Sequence, residues 1–205
     1  VKVHLNEEKL NNQGSLMKIV EYIDNRNIVV EFQDDYKFRV NNNYGNFKRG
    51  SIKNPFHPSI YGVGITGNKY PRSINCKMIK EYDTWIHILQ RCFDDRLKEK
   101  QPSYTDKECC NEWLYYPNFY EWLHSQPNFE KWYNGKRWAI DKDILVKGNK
   151  VYSPDVCCLI PQNVNCLFLK REAERGDYPI GVHYREDGFI ARCRNPFTDT
   201  NEDLG

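Results

Sequence analysis

The sequence predicts an α+β protein. Three observations carry that prediction: β-branched and aromatic runs before residue 75, apolar residues at helical spacing between 81 and 135, and a strand–loop–strand–helix order between 138 and 165. They divide the chain into a basic β-rich domain over 1–75, a helical region leading into a ββα unit over 76–175, and a strand-rich module over 176–205.

The runs from Lys18 to Tyr22 and from Ile28 to Phe32 alternate in part and read as strands. Asp24, Asn25, Arg26 and Asn27 supply a turn, as do Asp34 and Asp35, and Tyr36 to Val40 alternates again. Gly50, Asn54-Pro55, His57-Pro58, Gly62 and Gly64 mark a long ordered loop, and Asn41 to Asn43 read as loop. The expectation is a small SH3-like barrel or sheet with a basic rim. Trp85, Ile88, Leu89 and Cys92 fall on one helical face, and Phe119, Trp122 and Leu123 on another, all read as core. Asn118 after Pro117 is the expected N-cap.

From Trp138 a short strand ends in acids. A loop with Gly148-Asn149 follows, then a second apolar strand through Cys157 and Cys158, then a helix with Pro161 in its first turn. Val164, Leu167 and Phe168 should bury one face of that helix. Two further strands run from Tyr178 to Tyr184 and from Gly188 to Arg194, a hairpin turning at Arg185, Glu186 and Asp187, with Arg192 and Arg194 on one face.

Composition excludes several classes. Aromatic residues make up 14% of the chain, enough for packed cores, so global disorder is excluded. No apolar run approaches the roughly 18–20 residues of a membrane span, and the opening residues read as no signal peptide. The eight cysteines include two adjacent pairs, Cys109-Cys110 and Cys157-Cys158, and no C-x-x-C spacing, which disfavours zinc; one member of each pair is expected in the core. Thiols without a secretion signal point to the cytoplasm.

Charge is unevenly spread. Nine cations lie between Tyr36 and Lys80 with no acid among them: Lys37, Arg39, Lys48, Arg49, Lys53, Lys69, Arg72, Lys77 and Lys80. Net charge is +2, so the remainder carries −7. A basic segment beside an acidic remainder is the footprint of a phosphate-facing surface. Lys37, Arg39, Lys48, Arg49, Lys53, Arg72 and Lys77 are therefore candidate contacts to double-stranded DNA.

The ββα unit can in principle assemble a one-metal nuclease site. Asp141 and Asp143, two apart on a strand, would face the same side, and Asn163 or Asn165 would return to them from the helix. Asp141, Asp143 and Asn165 are the expected oxygen ligands of Mg²⁺. Hydrolysis also needs a general base near neutrality.

Several stretches carry a specific resemblance. Trp85 with Arg91-Cys92, Ser103-Tyr104, Cys110-Asn111-Glu112-Trp113 and Phe119 with Trp122 are joined by Ile140 to Ile144, Gly148-Asn149, Tyr152 to Asp155, and Asn163 with Asn165. In this order, over about 90 residues, the chain resembles the HNH endonucleases of phages and prophages. The resemblance implies a homing-type nuclease in a bacterial host, with Asp141, Lys142, Asp143, Asn163 and Asn165 at its catalytic centre. Those nucleases place a histidine directly after the acid, where this chain has Lys142, and no histidine lies between 136 and 175. A lysine flanked by two aspartates stays protonated, so Lys142 is expected to contact phosphate instead.

The stretches from Tyr178 to Tyr184 and Gly188 to Ala191, with Leu204-Gly205, resemble the three-stranded DNA-binding domain of plant ethylene-response factors, which recurs at the end of phage homing endonucleases. The resemblance makes Arg185, Arg192 and Arg194 base or phosphate contacts and places a third strand and a packing helix after Gly205. Two readings follow: a Mg²⁺-dependent DNA endonuclease, or a nuclease scaffold without cleavage that acts as a DNA-binding regulator or as an inhibitor of a host defence protein such as a CRISPR nuclease.

Overall fold

A computed structural model describes residues 4–167, 178–179, 181–186, 188–195, 198 and 200–204. The chain is mixed helix and sheet, as expected, and falls into two compact units. The first comprises 1–125 with 150–154, the second 126–149 with 155–205, a division that cuts across the three segments read from sequence. No helix among the described residues is long and apolar enough to cross a membrane.

In the first unit, β1 (Glu8–Leu10), β2 (Leu16–Asp24), β3 (Asn27–Phe32) and β4 (Arg39–Asn42) pair antiparallel in that order. The register sets Met17 opposite Phe32 and Ile19 opposite Val30, so alternate residues fill one face. With Ile28, Phe47 and Ile52 they form a closed apolar cluster. Among the described residues β1 and β4 are the sheet's two edges, so of the expected alternatives, barrel or sheet, the strands form a sheet. The β2–β3 turn forms because the Asp24 carboxylate accepts the backbone N–H groups of Arg26 and Asn27, at 2.6 and 3.0 Å.

The three asparagines after Val40 are not a loop. Asn41 and Asn42 end β4, and Asn43 caps α1 (Tyr44–Arg49), its Oδ1 accepting from Asn46 N at 2.8 Å. Gly50 closes that helix at φ 68°, a left-handed position suited to glycine. The long loop beyond is ordered by buried asparagines. Asn54 donates to Asp34 Oδ2 at 2.6 Å, and Asn11 donates to Ile52 O at 2.9 Å.

β5 (Ser73–Ile74) and β6 (Lys77–Met78) form a short hairpin before α2 (Lys80–Phe93) and α3 (Asp95–Lys100). The predicted α2 face is buried: Trp85, Ile88, Leu89 and Cys92. It packs on α4 (Tyr116–Ser125), whose Phe119 and Leu123 are fully buried. Pro117 lies in the first turn of α4. Asn118 is therefore inside the helix rather than its cap, and donates to Glu112 O at 3.0 Å. Trp85 Nε1 donates to Trp113 O at 2.6 Å and satisfies the one polar atom of a buried indole. A Cβ on Gly64 would lie 2.5 Å from Leu89 Cδ1, so only glycine lets the loop approach α2. β7 (Glu108–Cys109) pairs parallel with β9 (Val151–Tyr152).

In the second unit, α5 (Phe129–Asn134) packs its buried Trp132 near β8 (Trp138–Asp141) and β10 (Cys158–Pro161), which pair antiparallel. α6 (Gln162–Leu167) follows directly, with Pro161 as the last residue of β10 rather than within the helix. The expected β–β–α order is thus present, and α6 packs against both strands. Phe168, expected on the buried helix face, lies outside the described residues, as does the Leu167 side chain. Of the adjacent cysteines, Cys157 is buried and Cys158 half-buried, whereas Cys109 and Cys110 are both half-buried.

β11 (Val182–Arg185), β12 (Gly188–Arg194) and β13 (Asn201–Asp203) form a three-stranded antiparallel sheet. A hairpin was expected, with its third strand beyond Gly205. The third strand lies within the chain, anchored by Asn195 N donating to Thr200 O at 2.8 Å and Asn195 Nδ2 to Glu202 Oε1 at 2.7 Å.

Candidate nucleic-acid interface

The acids at the end of β8 are close to each other but do not lie two apart on one strand. Asp141 is buried, and its Oδ1 accepts the backbone N–H groups of Asp143 at 2.9 Å and Ile144 at 2.7 Å. This capture ends the strand at Asp141, so Asp143 lies in the following bend, off the strand, with its half-exposed carboxyl within hydrogen-bonding reach of Asp141. Burial pushes the Asp141 carboxyl above its usual range, against the two N–H groups that lower it, with the neighbouring Asp143 adding to the rise. Cys158, the register partner of Asp141, has its thiol pushed up by burial and by that carboxylate.

Lys142 was expected to reach outward for phosphate. It is only 6% exposed. Its Nζ donates to Asn149 O at 2.9 Å and to Asp143 Oδ2 at 3.3 Å, while Asn149 Nδ2 donates back to Lys142 O at 2.7 Å. The reciprocal pair clasps the loop 142–149 at its base. On α6, Asn163 Oδ1 accepts the neighbouring Val164 N at 3.0 Å, and Asn165 makes no hydrogen bond to either aspartate among the described residues.

The donor set therefore fits Mg²⁺ poorly. One oxygen of Asp141 is committed to backbone, and the Asp143 carboxylate is shared with an internal ammonium. Among the described residues, no group of three or more histidine, cysteine, aspartate or glutamate side chains is arranged to hold a metal. Two histidines outside the ββα unit have partners in the first unit: His57 Nδ1 lies 3.1 Å from Ser15 Oγ, and His124 Nε2 lies 3.2 Å from Glu81 Oε1.

The acid-free segment meets acids in space. Arg39 pairs with Glu31 at 2.6 Å, Lys48 with Glu7 at 3.7 Å and Lys69 with Glu121 at 2.5 Å. Its cations are also spread over the turn at Lys37, β4, α1, the loop at Lys53 and the β5–β6 hairpin. A single continuous basic face was expected; the three partner glutamates come from outside the segment and interrupt it. Lys53, Arg72 and Lys77 make no ion pair among the described residues.

The C-terminal sheet sorts its side chains more cleanly. Register pairs Arg185 with Gly188, His183 with Ile190, Arg192 with Asp203, and Arg194 with Asn201. Arg185, Arg192 and Arg194 thus share one face, all exposed, with Asp203 as the acid beside them, bonded to Arg192 Nε at 2.5 Å. The opposite face carries Tyr184 and Phe189, opposed in register, with ring centroids 5.2 Å apart and Tyr178 against both. Asn201, Glu202 and Asp203 have low strand propensity, which hid the third strand; the Asn195 and Pro196 turn signal was the cue available.

Comparison of the chain with protein-family models, with curated proteins and with solved structures finds no match in any of the three.

Proposed function

We propose that this protein binds double-stranded DNA, with the arginine face of the C-terminal sheet as its principal contact. The observation that supports this reading is the register placing Arg185, Arg192 and Arg194 on one exposed face. A small antiparallel sheet offers a width the major groove admits, and guanidinium groups match both phosphate and guanine edges. Lys53, Arg72 and Lys77 supply further phosphate contacts from the first unit. The reading agrees with the resemblance to phage homing endonucleases and with a role as a regulator in a bacterial host.

We infer further that binding, not hydrolysis, is the role of the ββα unit. Burial of Asp141 and the inward turn of Lys142 favour this over Mg²⁺-dependent cleavage. Duplex DNA shifted in a gel at low salt and released at higher salt, with no nicking of supercoiled plasmid in Mg²⁺, Mn²⁺ or chelator, is the expected result. Plasmid nicking that needs a metal and disappears in Asp143→Ala would reverse the second inference. Absence of a shift at any salt concentration would remove the first.

A further inference from the structure

The β5–β6 hairpin stands clear of the first unit. Residues 71–78 are exposed without interruption. Among them are two large apolar side chains, Ile74 at 57% and Met78 at 54% exposure. Register puts Ile74 beside Lys77 and Met78 beside Ser73, so each face of the ribbon carries one apolar group. The tip is a two-residue turn with both residues left-handed, Asn75 at φ 49° and Cys76 at φ 60°. That is the rigid turn matched to strand twist, here built without glycine. The base is fixed by Ile79 N donating to Arg72 O at 3.2 Å, by the buried Ile79 side chain, and by Tyr116 Oη donating to Pro71 O at 3.3 Å.

Water-exposed isoleucine and methionine on a stiff projection call for a partner. The charges around them select one. Arg72 and Lys77 flank the apolar groups and make no ion pair among the described residues. No acid occurs from Tyr36 to Lys80; the nearest in sequence are Glu81, which is buried, and Asp83, which is exposed. Lys69, before the arm, is occupied by Glu121. A cationic ribbon that carries two exposed apolar side chains suits insertion of an apolar wedge beside a base step.

We propose that this hairpin is a DNA-kinking arm: Arg72 and Lys77 hold the phosphates on either side while Ile74, on the same face as Lys77, wedges against a base step from the minor groove. The proposal rests on the DNA-binding reading above.

The test uses the full chain and a duplex of about 20 base pairs, roughly 68 Å long, carrying a donor and an acceptor dye at its ends. At saturating protein the wild type should raise energy transfer, as a kink of roughly 20–90° brings the ends together. The paired substitution Ile74→Ser with Met78→Ser, on exposed positions, should melt at the wild-type temperature and lose the rise at saturation. Arg72→Gln with Lys77→Gln should weaken binding about tenfold at low salt and lower the salt slope by about 0.9 per lost contact. Wild-type binding without a change in transfer, or an undiminished rise in the Ile74→Ser, Met78→Ser variant, overturns the arm while leaving DNA binding intact. Failure of the wild type to bind duplex DNA at all overturns both.

Discussion

Asp141 and Lys142 are adjacent charges of opposite sign, each committed to the chain's own backbone. Because burial holds the Asp141 carboxyl above its ordinary value of 3.8, the folded chain binds that proton more readily than the unfolded chain. Its contribution to stability is then greatest in acid and is lost as pH rises from 3.8 through the raised folded value. Asp141→Asn keeps an acceptor for the two N–H groups and removes the buried charge. Chemical denaturation at pH 7 should find it as stable as wild type or up to about 1 kcal/mol more so, the gap closing in acid, whereas Asp141→Ala should lose about 1–3 kcal/mol. An asparagine as damaging as alanine would mean that the negative charge itself is required, as a metal site would demand. Lys142→Met retains the aliphatic stem and leaves Asn149 O without its charged donor, for a loss of about 1.5–3 kcal/mol in urea. The sequence made both residues visible as charges at the end of a strand. Their burial was not legible, because it depends on Asn149 turning back across seven residues to complete the clasp.

Among elements, those with a strong period were legible and the short ones were not. The α2 face and the β2–β3 hairpin came directly from spacing, because three or more buried residues repeat in each. The helix α1 has one buried residue, Phe47, and is held by its caps. Asn43→Ala should therefore cost about 1 kcal/mol, measurable as a lower melting temperature, with no change in DNA affinity. The strand β13 is polar throughout and is specified by register with β12. Its Asp203 pairs with Arg192 and, on the DNA-binding proposal, would compete with DNA for it. Asp203→Asn should tighten duplex binding by about threefold at low salt, an effect that fades at high salt. Arg185→Gln and Arg194→Gln should each weaken binding, with a slope change of about 0.9 where the contact is to phosphate and a base-specific loss where it is not. If both glutamine variants bind as wild type, the sheet is removed from the interface.

For the whole molecule, the charge pattern shows what linear reading misses. The run from Tyr36 to Lys80 is free of acids along the chain, yet Glu7, Glu31 and Glu121 are folded onto it. The two compact units have separate aromatic cores, one around Trp85 and Trp113 and one around Trp132. Calorimetry should resolve two transitions. Trp85→Ala should lower one and Trp132→Ala the other, each by the equivalent of about 3–5 kcal/mol; a single transition shifted equally by both would show one cooperative body. The second unit is interrupted in sequence: after β8 the chain gives residues 150–154 to the first unit, where Val151 and Tyr152 extend β7, and then returns as β10. During synthesis, then, the earlier unit stays unfinished until residue 154 has left the ribosome, by which point the later unit has already contributed its first strand. A chain stopped at Ser125 would leave one side of β7 bare, and a chain started at Gln126 would carry an orphan strand through the middle of its ββα hairpin, so neither half can be cut out cleanly by choosing a single boundary.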